Sequence, residues 1–288
     1  LRKSDTAPAV NPYNHQSHRF SKSQPENLAF LERFHQALVP YGAAVVGEIG
    51  DSERGLELLE EYTGVPGRVQ MSYVFDFLSG DDLPAARVVE VFDKLHDVAP
   101  NAWPCWAMSK HDVVRHVTRW NLPDQAAKSY ATVLLCLRGS VCLYQGEELG
   151  LPEAELRFED LRDPYGIEFW PEFKGRDGCR TPMVWDMGVN GGFSTSQPWL
   201  PVPHTHLQRT VVSQEADAQS MLHHYRWAVG LRRKHSALRC GNMTDIKAEG
   251  PVLSFRRRDD KQTLLIRANL SDDDAGGLMP WQVQIIEG

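Results

Sequence analysis

The sequence AAVVGE, at residues 43–48, is a short apolar run that ends in a carboxylate, Glu48. The run lacks polar alternation, which is typical of a parallel strand that is buried on both faces. A second run, WPCWAM at residues 103–108, is followed shortly by the pair His111-Asp112. In a barrel of parallel strands, residues at the C-terminal strand ends line the active-site mouth. The two runs therefore predict a site that contains both carboxylates.

Helical and strand-like segments alternate from residue 26 to residue 145, and this repeated unit predicts the α/β class with a parallel sheet. Strands are predicted at 43–48, 70–78, 102–108 and 141–145, and helices at 26–38, 53–63, 84–97 and 124–138. Four such units make half of an eight-stranded barrel, and half a barrel has two edges that must be covered or paired. The chain is therefore either a complete open sheet or a barrel whose first half lies upstream.

The rest of the chain divides into a loop, a helix and a β-rich segment. Residues 146–215 lack periodicity, and a loop of that length is usually a functional insertion. A helix is predicted at 217–238. Strand-like pieces separated by turns then follow, at 252–256, 263–269 and 282–286. We therefore predict two domains, a partial barrel over residues 1–241 and a small β domain over residues 242–288.

The composition is that of a soluble globular enzyme, with 42% hydrophobic and 24% charged residues. The formal net charge of −7 argues against nucleic acid or an anionic membrane as a partner. No apolar stretch approaches the ~20 residues that a membrane span needs. The five cysteines lack metal-type spacing, and Cys136 and Cys142 lie in apolar surroundings that fit buried packing positions. We therefore expect no metal site here, and a reducing, cytoplasmic location.

Several motifs resemble those of the α-amylase superfamily of glycoside hydrolases, in the order of that family. VGEIG at residues 46–50 resembles its general-acid segment, and SKHDVVR at residues 109–115 resembles its Asn-His-Asp segment. YQGEELG at 144–150 and GRDGCRTPM at 175–183 are more specific, and are similar to the bacterial α-glucosidase and oligo-1,6-glucosidase branch. Further similar motifs lie at residues 11–14, 24–28 and 220–226.

The resemblance implies a (β/α)8 TIM barrel of which this chain carries the C-terminal half, from about helix 4 to helix 8, followed by a small all-β domain. Glu48 would be the general acid/base that protonates the leaving glycosidic oxygen and later activates water. Asp112 would be a second fixed carboxylate, which holds the sugar hydroxyls in the geometry of the transition state. His111 would hydrogen-bond the same sugar.

The long loop supplies further candidates under the same resemblance. Arg180 would contact the sugar, with Arg176 as a weaker candidate because both lie in one basic motif. The alternative for either residue is a structural ion pair with Asp177 or Asp186. Glu147 and Glu148, which open the last barrel loop, would either shape the pocket or cap a helix.

Two departures from the family pattern stand out. Lys110 occupies the position where the family carries Asn before His-Asp. In addition, no Arg-x-Asp motif, which holds the nucleophile of the family, occurs before Glu48. Asp5 is rejected because it has neither the preceding arginine nor an apolar strand. We therefore expect the nucleophile to lie upstream of residue 1.

The resemblance implies a retaining α-glucosidase that acts on terminal α-glucosyl residues of short oligosaccharides and small α-glucosides. Retention needs two catalytic carboxyl groups about 5–5.5 Å apart. No cofactor is expected in this half, although an upstream loop could hold calcium. Two alternatives stay open at this point. One is a non-catalytic barrel homologue that serves binding or interaction, and the other is a glucosyl-transferring relative that forms trehalose or trehalulose.

Overall fold

The computed structural model describes residues 18–51 and 54–288, so the motif at residues 11–14 and Asp5 lie outside the described residues. Two four-stranded sheets organise these residues. The first is parallel and consists, in chain order, of β1 (Val46–Glu48), β2 (Met71–Tyr73), β3 (Pro104–Trp106) and β4 (Ser140–Val141). The second is antiparallel and consists of β5 (Asn242–Glu249), β6 (Val252–Arg258), β7 (Thr263–Asn269) and β8 (Val283–Glu287). The predicted class, a partial α/β barrel followed by a small all-β domain, is confirmed.

The helices alternate with the parallel strands and then continue through the long loop. They are α1 (Glu26–Leu38), α2 (Gly55–Thr63), α3 (Ala85–Val98), α4 (His116–Arg119), α5 (Asp124–Cys136), α6 (Pro164–Glu168), α7 (His204–Leu207), α8 (Val211–Glu215), α9 (Met221–Lys234) and α10 (Ser236–Cys240). Within the described ranges, every helix falls short of the length and hydropathy that a membrane span requires.

All four predicted strands and several predicted helices are shorter than the sequence indicated, and two of these elements show a physical reason. The strand predicted at 70–78 ends at Tyr73, and residues Phe75–Phe77 form a 3₁₀ turn instead. Phe77 leaves the sheet to stack on Trp106 of β3, with ring centroids 4.8 Å apart. The helix predicted at 217–238 begins only at Met221, because the Ser220 hydroxyl accepts a hydrogen bond from a backbone N–H of the first turn.

The strand β5 was missed in the sequence because it lies at the edge of the antiparallel sheet. Its residues alternate between exposed and half-buried positions, and none is fully buried. A polar sequence such as NMTDIKAE therefore carries no apolar run. The pairing with β6 also shifts register between Thr244 and Lys247, which is typical of a bulge on an edge strand.

One apolar cluster continues from the parallel sheet into the β domain. Trp106 and Phe77 belong to it on the barrel side, and Leu253 and Phe255 of β6 belong to it on the other side. The core therefore crosses residue 241, and the division into two domains at that point stays a prediction.

Two arginines bind the C-terminal end of α5, one from α9 and one from the β domain. Arg232 of α9 donates to the carbonyl oxygen of Leu135 at 2.6 Å. Arg257 of β6 is fully buried and donates to the carbonyl oxygens of Cys136 at 2.6 Å and Gly241 at 2.9 Å. The last carbonyl groups of a helix lack intrahelical partners and carry partial negative charge, so the guanidinium groups satisfy them.

Helix α1, which precedes β1, presents an open apolar face. Helix α1 has no buried residue, and its side chains Phe30 and Phe34 are 53% and 42% exposed. These two rings stack on each other at 6.1 Å. Among the described strands, β1 pairs with β2 alone. The edge of β1 that faces away from β2 is the kind of edge that a partial barrel leaves uncovered.

We expect Arg257→Ala to destabilise the chain, because it leaves two buried carbonyl oxygens without donors. At about 1–3 kcal/mol for each unsatisfied buried group, the free energy of unfolding should fall by roughly 2–6 kcal/mol in urea denaturation. Arg258→Ala is the matched control, since Arg258 is an exposed residue of the same strand. That control should stay within about 0.5 kcal/mol of the wild type. Equal stability of the two variants would contradict the anchoring role.

Candidate active site

Glu48 and Asp112 share one cation at the C-terminal edge of the parallel sheet. Glu48 ends β1, and the loop after β3 carries Lys110 and Asp112. The Lys110 ammonium group forms an ion pair with Oε1 of Glu48 and lies 3.6 Å from Oδ2 of Asp112. The lysine side chain is only 11% exposed, whereas that of Glu48 is 51% exposed. The two carboxylates that the sequence predicted at this edge therefore lie on either side of one buried ammonium group.

Asp112 is surrounded by basic side chains. Its Oδ1 accepts hydrogen bonds from Arg180 Nη2 at 2.7 Å and Arg176 Nη1 at 3.1 Å, and His111 Nε2 lies 3.3 Å from Oδ2. Burial raises the pKa of this carboxyl, but the charges of His111, Lys110 and Arg176 outweigh it, so the pKa of Asp112 lies below its ordinary value. Asp112 is therefore ionised at neutral pH.

Arg176 links Asp112 to a second carboxylate, which the sequence analysis did not identify. Its guanidinium group makes a two-pronged contact with Asp163, from Nε and from Nη2, each at 2.8 Å. Hydrogen bonding to Arg176 holds the pKa of Asp163 below its ordinary range. The suggested ion pairs with Asp177 or Asp186 are wrong in their partners, because Arg176 pairs with Asp112 and Asp163, and Arg180 pairs with Asp112.

Arg180 fixes the loop that carries Asp112. While Nη2 binds the carboxylate, Nε donates to the carbonyl oxygen of His111 at 2.7 Å. The His111 side chain is 61% exposed and remains open to a ligand. The contacts of both arginines with Asp112 are thus established, and their contact with a sugar stays a prediction.

A buried hydrogen-bond network holds the loop after β3 in place. The Ser109 hydroxyl accepts the backbone N–H of His116 and contacts Nδ1 of the same residue, both at 2.9 Å. Nδ1 also lies 3.3 Å from Oε1 of Glu147, whose Oε2 accepts the backbone N–H of Tyr144 at 2.6 Å. Burial raises the pKa of Glu147 to about 8 and lowers that of His116 to about 3, so both groups are uncharged near neutral pH. Glu147 therefore joins the loop after β3 to the loop after β4.

Arg115 ties three loops together and was also missed in the sequence. Its buried guanidinium group donates to the carbonyl oxygens of Gln145 at 2.8 Å and Cys179 at 3.0 Å. Its backbone N–H donates to Oε2 of Glu153 at 2.9 Å. The motif SKHDVVR does not predict these partners, because all of them lie in distant parts of the chain.

The arrangement is suited to proton transfer and to hydrogen bonding of a polar ligand. Glu48 is an accessible carboxylate that can exchange a proton. Asp112 is an ionised acceptor held in one orientation, and His111 is an accessible donor or acceptor beside it. Over residues 18–51 and 54–288, no group of three or more His, Cys, Asp or Glu side chains is arranged to hold a metal ion.

Comparison with known proteins gives a family and several relatives. The family model described as Alpha amylase, catalytic domain, matches residues 2–241. A probable alpha-glucosidase of Rhizobium meliloti (strain 1021) is 50% identical over 293 residues, which cover all of this chain and 53% of that protein. The trehalose-6-phosphate hydrolase of Escherichia coli (strain K12) is 30% identical over 94% of this chain and 54% of its own length. The chain thus spans about half the length of these curated relatives.

The chain also superposes on solved structures. An alpha-glucosyl transfer enzyme, XgtA, superposes with a TM-score of 0.90 at 41% identity, over all of this chain and 60% of that one. The trehalulose synthase MutB from Pseudomonas mesoacidophila MX-45 superposes with a TM-score of 0.78 at 23% identity, over 92% of this chain and 59% of that one. At the lower identity, the likeness shows a shared fold.

The stability of the chain should depend on pH through Glu147. Its folded pKa of about 8 lies above the ordinary value of 4.5, so the folded state binds more protons between these values and stability falls as pH rises. We expect Glu147→Gln to remove this pH dependence. Between pH 6.5 and 8.5, the melting temperature of the wild type should therefore fall further than that of the variant. Glu155→Gln, at an exposed site, is the control and should follow the wild type. Parallel curves for the wild type and Glu147→Gln would contradict a neutral buried carboxyl.

Proposed function

Because the chain belongs to the α-amylase catalytic-domain family, we propose that it is the C-terminal half of the catalytic barrel of a retaining α-glucosidase. The observation that carries this proposal is that Glu48 and an ionised, firmly held Asp112 lie beside the same Lys110 ammonium group at the C-terminal edge of the parallel strands. Half-exposed Glu48 can reach a ligand, and the identity with a probable alpha-glucosidase supports α-glucosides as the substrate class.

The proposed reaction has two steps. In the first, Glu48 gives a proton to the glycosidic oxygen as the bond to the anomeric carbon breaks, while a carboxylate nucleophile forms an ester with that carbon. In the second, Glu48 takes a proton from water, whose oxygen attacks the anomeric carbon and releases the nucleophile. Asp112 and His111 would hold ring hydroxyls throughout, and Arg180 would keep Asp112 in place.

The nucleophile is proposed to come from outside this chain. Retention requires a second catalytic carboxyl about 5–5.5 Å from the acid/base. Asp112 is bound by two guanidinium groups through Oδ1, which suits a fixed acceptor better than an attacking group. We assign the nucleophile to an Asp of an Arg-x-Asp motif at the end of the strand that would precede β1. The open edge of β1 and the partial coverage of the relatives are consistent with such a neighbour.

Substrates of the whole protein would be short oligosaccharides or small α-glucosides. The five cysteines are all free, which supports the cytoplasm as the location. A second candidate function is glucosyl transfer, in which a sugar or another hydroxyl compound replaces water in the second step. The 41% identity with an alpha-glucosyl transfer enzyme supports this second candidate.

The test compares two polypeptides, the 288-residue chain and the same chain joined to the upstream half of its reading frame. We expect the chain alone to leave p-nitrophenyl α-glucoside and maltose intact, because it has the acid/base without a nucleophile. The longer protein should turn over both. Glu48→Gln should lower its kcat by roughly 10²–10⁴-fold on maltose, the usual contribution of an acid/base group. Glu57→Gln, at an exposed position of α2, is the matched control and should leave kcat unchanged.

Two results would contradict the proposal. Turnover by the 288-residue chain that is lost in Glu48→Gln would mean that the nucleophile lies inside this chain. A longer protein that binds α-glucosides without turning them over would be a non-catalytic homologue.

A further inference from the structure

We propose that a groove on the outer, helical side of the parallel sheet is a second binding site, which takes a neutral oligosaccharide. The groove lies between α5, the start of α9 and the segment that leads into β8, and its volume is about 420 Å³. Small-molecule sites usually measure about 300–1,000 Å³. None of the residues that line the groove belongs to the candidate active site, so the two are separate features of the surface.

The groove offers no free charge to a ligand. Among the described residues, its lining holds no carboxylate and no guanidinium group, and its ammonium group is that of Lys128. That ammonium group already donates a hydrogen bond to the carbonyl oxygen of Gln219. Burial lowers the pKa of His224, which favours the neutral imidazole. The groove therefore suits an uncharged ligand better than an anion or a cation.

Trp227 gives the groove an exposed aromatic ring on a fixed support. Its side chain is 51% exposed, and its ring lies 5.2 Å from the ring of His224. The imidazole is held in turn, because Nε2 lies 2.8 Å from the carbonyl oxygen of Lys128 and 2.9 Å from the Thr132 hydroxyl. A sugar ring carries C–H groups on its faces and hydroxyl groups at its rim, so it can pack on such an aromatic surface while its hydroxyl groups stay hydrogen-bonded.

A second tryptophan of the groove has a strained backbone. Trp281 has a φ of 56°, in the left-handed region that bulky residues rarely adopt. The Ser129 hydroxyl of α5 donates to its carbonyl oxygen, and its own N–H donates to the carbonyl oxygen of Ser271 at 3.1 Å. Such strain persists where the surrounding structure imposes it, and it is concentrated at ligand-binding positions. This observation supports a ligand site independently of the shape of the groove.

The groove also presents polar groups that the described part of the chain does not use. The side-chain amides of Gln125 and Gln219 are exposed and have no hydrogen-bond partner there. Gln282 uses its Oε1, which accepts the backbone N–H of Met279 at 2.9 Å, and its amide N–H groups stay free. Since Nε2 of neutral His224 donates to a carbonyl oxygen, its Nδ1 is a free acceptor. Hydroxyl groups both donate and accept, so these amides and this imidazole can bind them.

An uncharged lining, two indole rings and free amide groups together favour a neutral oligosaccharide. Trp227 would pack against a sugar ring, and the glutamine amides would bind its hydroxyl groups. The choice of an α-glucan probe rests on the proposed function, whereas the groove itself does not depend on the role of Glu48.

The test follows the indole N–H signals of the longer protein by nuclear magnetic resonance, with nitrogen-labelled tryptophan. The protein carries Glu48→Gln so that the probe, maltotriose, persists, and spectra of Trp227→Phe and Trp281→Phe assign the two signals. We expect maltotriose to shift both signals in a saturable manner. Followed at Trp281, binding should weaken by about tenfold in Trp227→Ala, which loses the aromatic contact. Trp227→Phe keeps a ring and should stay within about threefold of the parent affinity.

Arg233→Ala is the matched control, since Arg233 is an exposed residue of α9 outside the groove. It should keep the parent affinity. Indole signals that do not respond to maltotriose, or that respond without saturation, would overturn the inference. Equal affinities of Trp227→Ala and Arg233→Ala would overturn it as well. Should Trp227→Ala not fold, Gln219→Ala removes a free amide at an exposed position and should weaken binding by about threefold. Unchanged affinity in that variant would then overturn the inference.

Two further results separate the groove from the active site. With Glu48 intact, Trp227→Ala should leave kcat/KM on p-nitrophenyl α-glucoside at the wild-type value. A clear fall at an unchanged melting temperature would make Trp227 part of the active site and overturn the second site. Consumption of maltotriose by Glu48→Gln would contradict the proposed function alone, because the inference depends only on the indole signals and their response to the variants.

Discussion

Charge balance at the C-terminal edge of the parallel sheet holds the candidate site together. Parallel strands bring their carboxyl ends to one edge, and here three carboxylates, Glu48, Asp112 and Asp163, lie close to Lys110, Arg176 and Arg180. Carboxylates held this near would repel one another without the intervening cations. The cations also fix orientation, because each guanidinium group binds in a defined plane. An ordered polar site on a half-open barrel follows from this balance.

The surrounding fold serves to hold the loops that carry these charges. The neutral pair of His116 and Glu147 lies beneath the loop after β3, and its groups are buried without a net charge. Arg115 joins the same loop to its neighbours through carbonyl oxygens. Farther away, Arg257 connects the β domain to α5 in the same manner. Buried arginines that bind backbone carbonyl oxygens thus join separate parts of this chain at two places.

The sequence predicted the features that are local and repetitive. The βα alternation, the position of Glu48 at a strand end and the pair His111-Asp112 after another strand could all be read from periodicity and spacing. Asp163 as the partner of Arg176 could not, because their contact depends on how the long loop folds back. Strand β5 was missed because an edge strand with a polar sequence leaves no apolar pattern. The family resemblance supplied the roles of the residues, and the structure supplied their contacts.

If Glu48 is the acid/base and Asp112 a fixed acceptor, the nucleophile lies in the upstream half of the barrel. Covalent trapping of the glucosyl–enzyme intermediate would identify it. The longer protein would be incubated with a fluorinated α-glucosyl fluoride, which leaves a slowly hydrolysed glucosyl ester, and the labelled peptide would be located by mass spectrometry. We expect one glucosyl ester, on an aspartate outside these 288 residues. An ester on Glu48 or Asp112, or no ester at all, would contradict it.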